Sequence, residues 1–154
     1  MRIEVVGIKE LQKSIEKIGQ VPAKHARAAA LKGMKPPLQT ARKDAPHETG
    51  ALRKGIKLKG ERSRMSRYGK KVYSIVFDRA MNDVFQTKNA EGKVVGYYPT
   101  SQEYGWVTQS GNAIPGQLFI TNAYNTEQET IEKTITDELA KRLEGEINKG
   151  GLKP

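Results

Sequence analysis

The 154-residue sequence contains no cysteine, which excludes disulfide bonds, zinc fingers and thiol redox chemistry. Histidine is almost as scarce. His25 and His47 are the two present, and neither has a second ligand at the spacings that zinc sites use. No glycine-rich loop precedes a lysine in the nucleotide-binding pattern. We therefore expect no cofactor, no metal and no enzymatic chemistry.

Long apolar runs are also missing. No stretch reaches the ~20 apolar residues that a membrane span requires, and the N-terminus has no apolar run typical of a signal peptide. We therefore expect a soluble, unprocessed protein with no membrane partner. The length fits one domain. We place that domain at residues 1–148 and a C-terminal tail at 149–154.

Acidic residues are in the minority, with 17 Asp and Glu against 27 Lys and Arg, so the net charge is +10. The two signs are segregated. Residues 53–71 carry many bases and only one acid, Glu61, whereas acids predominate over 127–149. Both runs are compatible with solvated faces, but identical subunits packed head to tail would bring them together. The interface candidates are Arg62, Arg64, Arg67, Lys70, Lys71, Glu132, Asp137 and Glu138.

The N-terminal and C-terminal parts have helical periodicity. Alternation over residues 2–6 predicts a short strand, and apolar residues recur at helical spacing over 8–18. A longer helical pattern covers 21–43, in which Pro36-Pro37 should cause a kink or a break. The last helix has apolar residues spaced four apart and should pack on another element. These residues are Ile131, Ile135, Leu139, Leu143 and Ile147.

The central part has the alternation that is typical of strands. One strand is predicted around Ile56 and Leu58, and another over 72–77. A projecting β-hairpin is predicted over 84–98, and the polar segment 101–116 is predicted to be a loop. Because the strands cluster between helices, the sequence predicts an α+β fold. Its mainly antiparallel sheet would pack against a long kinked N-terminal helix and a C-terminal helix.

Three segments resemble those of a known family. Ala41-Arg42-Lys43-Asp44-Ala45-Pro46, with Glu48-Thr49-Gly50-Ala51-Leu52-Arg53 and Ile56, resembles the A-x-x-x-A-P-x-x-T-G-x-L-R-x-S-I segment of phage neck and tail-completion proteins. Gly55 replaces the serine of that pattern. Ser101-Gln102-Glu103-Tyr104-Gly105-Trp106 is similar to the family's h-x-x-E-F-G-T segment, with Trp106 in place of threonine. The segment from Gly116 to Ala123 is similar to P-x-P-F-l-r-P-A. Leu118 and Asn122 stand where the family has the prolines before and after Phe119. The matching residues are Ala45, Pro46, Thr49, Gly50, Leu52, Arg53, Ile56, Glu103, Gly105 and Phe119.

The resemblance implies a structural protein of the phage virion rather than an enzyme. Such a protein is made in the host cytoplasm and forms a homo-oligomeric ring, expected to be a hexamer or a dodecamer. The ring joins the connector or head-completion protein to the tail terminator or tail tube protein. Non-specific contact with packaged DNA is also expected of this position.

Two other functions are compatible with the residues. A basic nucleic-acid-binding phage accessory protein would explain the sequence pI of about 9.8 and the basic run, although no known binding motif is present. A small hydrolase or toxin would use His47 with Glu48, which are neighbours in sequence.

Overall fold

The computed structural model describes residues 25–48, 50–61 and 72–149. The predicted strand at 2–6, the predicted helix at 8–18 and the end of the predicted tail lie outside these ranges. Six candidate residues also lie outside the described residues: Thr49, Arg62, Arg64, Arg67, Lys70 and Lys71.

The long N-terminal helical pattern forms two helices. Helix α1 covers 25–33 and helix α2 covers Lys35–Asp44, with Met34 in a turn between them. The predicted break at Pro36-Pro37 is confirmed. It falls just before the prolines because both lie in the first turn of α2, where a missing N–H breaks no hydrogen bond within the helix.

After α2 the chain turns and enters the first sheet. Gly50 has a φ of +71°, a left-handed conformation that glycine adopts without strain. Three elements follow: α3 at Ala51–Gly55, β1 at Ile56–Gly60 and β2 at Tyr73–Phe77. Strands β1 and β2 pair antiparallel, with Ile56 opposite Phe77. Both predicted strands are confirmed.

The projecting hairpin lies next in the chain. The elements are a 3₁₀ turn at Arg79–Met81, α4 at Asn82–Phe85, β3 at Gln86–Lys88 and β4 at Val94–Tyr97. The hairpin predicted over 84–98 is confirmed by the antiparallel pairing of β3 with β4. The strand prediction is wrong at both ends of this range, because Val84 and Phe85 end α4 and Tyr98 begins the next helix. Phe85 is buried, with edge-to-face ring contacts to Phe77 and Tyr97, so tertiary packing outweighs its strand propensity.

The loop prediction for 101–116 is wrong, because most of this segment is regular. It contains the end of α5 at Tyr98–Tyr104, β5 at Gly105–Val107 and β6 at Ala113–Pro115. Pro99 lies in the first turn of α5, and Gly105 follows its last residue with a φ of +88°. Strands β5 and β6 have three residues each, which is too short for alternation to be recognised in the sequence.

Helix α6 covers Phe119–Lys149 and confirms the predicted last helix. Helices α1 and α2 run antiparallel along it. Lys32 contacts Glu138, and the Thr40 hydroxyl donates to Glu127 at 2.8 Å. Residues spaced four apart rotate about 40° per step around a helix. The predicted apolar stripe therefore winds around α6, and exposure rises from 8% at Ile131 to 36% at Ile147.

The predicted α+β class is confirmed, with a bent N-terminal helical pair, a long C-terminal helix and antiparallel strands. Among the described residues these strands form three separate two-stranded sheets. The core lies where α2, α3, β1 and α6 meet, around Ala45, Leu52, Ile56 and Phe119. No helix in the described ranges combines the length and the apolar character needed to cross a membrane.

Candidate interaction surfaces

The family-like motif residues are mostly internal. Ala45, Leu52, Ile56 and Phe119 are between 0 and 2% exposed and pack together in one cluster. Arg53 Nε donates to the carbonyl of Ala45 at 3.0 Å, which ties α3 to the end of α2. Pro46 and Gly50 are half-buried in the turn between these helices. These residues therefore hold the fold and position the surfaces around it.

Glu103 is a buried carboxylate, 1% exposed, that links α5 to the start of α6. Its Oε2 accepts the backbone N–H of Ile120 at 2.9 Å, and its Oε1 accepts the N–H and the hydroxyl of Thr121 at 3.0 and 2.8 Å. The first N–H groups of a helix lack partners within the helix and carry partial positive charge. Glu103 therefore caps α6.

The sequence analysis identified Glu103 as a motif residue but did not predict that it caps α6. The capped N–H of Ile120 is 17 residues away in the chain, so no local capping pattern signals it. Gly105, the next motif residue, ends α5 and begins β5. Both residues act where α5, the β5–β6 hairpin and α6 join.

The acidic interface candidates differ in accessibility. Glu132 and Asp137 are exposed on α6. Glu138 is only 8% exposed, and its carboxylate contacts Lys32 Nζ at 2.5 Å and Arg142 at 2.7 Å. Because α1 packs on this side of α6, the carboxylate is already paired within the chain. Glu138 therefore offers little exposed surface to another subunit, and its assignment to an interface stays a prediction.

Glu138→Gln is expected to destabilise the protein at neutral pH. Hydrogen bonds from Lys32 and then Arg142 hold the pKa of Glu138 below its ordinary value of 4.5. A lowered carboxyl pKa stabilises the folded state above the unfolded-state pKa, and this stabilisation is lost as the pH falls through the folded-state pKa. The Tm of the variant should therefore be lower than wild type at pH 7, and the difference should shrink below about pH 4. Glu132→Gln is the control and should leave Tm unchanged; equal effects of the two variants would contradict the assignment.

Large apolar side chains are exposed on the β5–β6 hairpin. We call Tyr104, which ends α5, together with Trp106, Val107 and Ile114 of the hairpin the hairpin surface; their exposures are 69, 44, 68 and 38%. Trp106 lies directly opposite Ile114 in the strand register, so these two side chains share one face of the hairpin, whereas Val107 points to the other face. Contiguous exposed apolar surface is uncommon on monomeric proteins and marks contacts with other proteins, so the Trp106–Ile114 face is a candidate contact. The hairpin surface was missed in the sequence because its segment was predicted to be a loop.

The other hairpin and a groove add to the apolar surface. Val94 and Val95 on the β3–β4 hairpin are 45 and 61% exposed. A groove of about 530 Å³ lies between α1, β2 and α6 and is lined by apolar residues such as Ile75 and Ile131. The Tyr73 hydroxyl, in the same region, is buried without a hydrogen-bond partner among the described residues. The groove is suited to apolar contact.

His25 lies on α1, and His47 is exposed in the turn after α2. His25 Nε2 lies 3.3 Å from Glu146 Oε1 on α6. Burial raises the pKa of the Tyr98 hydroxyl, and the nearby Glu48 carboxylate adds to this shift. Within the described ranges, no three His, Asp or Glu side chains are grouped as metal ligands. The hydrolase alternative stays a prediction.

Comparisons with protein-family models, with curated proteins and with solved structures found no significant match. The resemblance to phage neck and tail-completion proteins thus depends on the sequence motifs alone. The structure defines the chain more generally, as an α+β protein with two hairpins that expose apolar side chains.

Proposed function

We propose that this chain is a structural protein of a phage virion that forms a ring at the head-tail junction. The observation that carries the proposal is the exposed hairpin surface, in which Trp106 and Ile114 share one face. The resemblance to the motifs of phage neck and tail-completion proteins is the reason for proposing the head-tail junction. The proposed partners are other copies of the chain, the connector or head-completion protein, and the tail terminator or tail tube protein.

The hairpin surface has the composition of a protein interface. Tryptophan and tyrosine are enriched among residues that dominate binding energy, because they bury a large area with few rotatable bonds. The sheet that carries Trp106 has two strands, so β5 and β6 each have an edge unpaired by another described strand. Exposed edges invite pairing with another chain. Both properties favour docking of a protein partner at this hairpin.

A closed ring requires two different surfaces on each subunit, because one subunit's first surface must fit its neighbour's second. The hairpin surface supplies one. Exposed acids on α6, Glu132 and Asp137, and the basic candidates Arg62, Arg64 and Arg67 supply opposite charges for the contact between subunits. We propose that charge complementarity sets the orientation and that the hairpin surface supplies most of the affinity.

Trp106→Ser is expected to weaken self-association about 30-fold, because a central interface tryptophan contributes roughly 2 kcal/mol. Light scattering on purified protein measures this, first alone and then with connector and tail proteins of the same phage. Wild type should form a closed oligomer, a hexamer or a dodecamer, alone or on those partners. Ile147→Ser removes an apolar side chain that is 36% exposed at the far end of α6 and serves as the control.

A persistent monomer, with and without these partners, would refute the ring. Equal weakening by Trp106→Ser and Ile147→Ser would instead remove the hairpin surface from the interface. A persistent monomer that binds DNA tightly would favour the accessory-protein function, which the positive net charge of +10 also supports.

A further inference from the structure

The last turns of α2 and α3 bring basic side chains from two segments to one place. Arg42 and Lys43 end α2, and Arg53 and Lys54 end α3. A shallow, open depression of about 440 Å³ lies between them, and the described residues that line it are these four cations. We call this the basic cleft.

The two arginines are held in place without losing their charge. Arg42 donates from Nε and Nη2 to the carbonyl of Ile56 at 3.0 and 2.7 Å, and Arg53 donates from Nε to the carbonyl of Ala45 at 3.0 Å. A carbonyl is neutral, so it orients a guanidinium without compensating the positive charge. The remaining guanidinium N–H groups are available to a ligand.

The ion pairs within the described residues involve other cations. They are formed by His25, Lys32, Lys57 and Arg142. Basic residues in a last helical turn also offset the negative end of the helix dipole. The helix dipole explains why each helix ends in basic residues. It does not explain why the basic ends of two helices lie side by side.

We propose that the basic cleft binds the phosphate backbone of duplex DNA without reading its sequence. Arginine presents paired N–H groups that match phosphate oxygens, and lysine adds point charge. Two anionic partners can be compared. A duplex offers a continuous array of phosphates, whereas on α6 the exposed acids Glu132 and Asp137 alternate with the exposed bases Lys133 and Lys141. An unbroken array of anions suits the cleft better than this mixed face. The net charge of +10 adds long-range attraction.

The proposal is tested with Lys43→Gln/Lys54→Gln, since both lysines are exposed and neither anchors the backbone. Fluorescence anisotropy is measured with two short duplexes of unrelated sequence over a range of salt concentrations. Wild type should bind both duplexes equally. The variant should bind about tenfold more weakly, and the slope of log K against log salt should fall by about 2, roughly one for each phosphate that a lysine no longer neutralises.

Lys133→Gln/Lys141→Gln is the matched control, because it removes the same charge from exposed positions on α6. It should leave the salt slope nearly unchanged. The proposal is overturned if wild type does not bind duplex DNA, if the cleft variant binds like wild type, or if the two variants lose affinity equally. Loss of self-association with intact DNA binding would also overturn it and assign the cleft to a protein contact. DNA binding by the purified chain is measured separately from ring formation, so the two proposals fail independently.

Discussion

Glu103→Ala is expected to lower the free energy of unfolding by about 3 kcal/mol. The carboxylate accepts two backbone N–H groups and one hydroxyl at the start of α6. Hydrogen bonds to a charged group contribute about 1.5–3 kcal/mol each, and they are not additive when they share one acceptor. The substitution also leaves a cavity at a site that is 1% exposed.

Urea unfolding followed by circular dichroism measures the loss. Glu129→Ala removes an exposed glutamate from the same helix and should change stability by less than about 0.5 kcal/mol. Glu103→Gln keeps the size of the side chain but replaces one acceptor oxygen with a donor, so it should lose part of the stability. If Glu103→Ala cost no more than Glu129→Ala, the capping role would be wrong.

Much of the fold could be predicted because its helices have long periodic patterns. The apolar spacing predicted α6, and Pro36-Pro37 predicted the break between α1 and α2, since a proline pair acts on its own backbone. The β5–β6 hairpin was missed because its short strands expose apolar side chains, the reverse of the pattern that identifies a half-buried strand. Local signals were thus sufficient only where the element was long or the constraint was local.

The candidate surfaces were less predictable, because they depend on contacts between distant residues. Glu138 lies in an acidic run, but Lys32 on α1 pairs with it, and nothing in the run distinguishes it from Glu132. The basic cleft joins Arg53 of the predicted basic run to Arg42, which belongs to another helix. Charge runs therefore predicted the sign of the charge in a region, but not which charged side chains have no ion-pair partner.

Gly105→Ala is expected to destabilise the protein by about 3 kcal/mol or more. Gly105 has φ +88° and ψ 179°, a region that is essentially restricted to glycine. A Cβ there would lie 2.3 Å from the carbonyl oxygen of Ile114 and 2.7 Å from the nitrogen of Gly116. Both are backbone atoms, which cannot move aside without separating β5 from β6. Backbone strain and overlap each cost about 1–3 kcal/mol.

Gly111→Ala in the turn of the same hairpin separates the two costs. Gly111 has a φ of +84°, but a Cβ there would meet no atom within 4 Å, so only the strain remains and the loss should be about 1 kcal/mol. Chemical denaturation of both variants measures the difference. Equal losses of unfolding free energy would mean that β6 can move away at little cost. Close approach of the two strands would then not be the reason for glycine at position 105. A larger loss for Gly105→Ala would mean that the motif glycine keeps β6 against the end of α5, and so fixes the hairpin that presents Trp106.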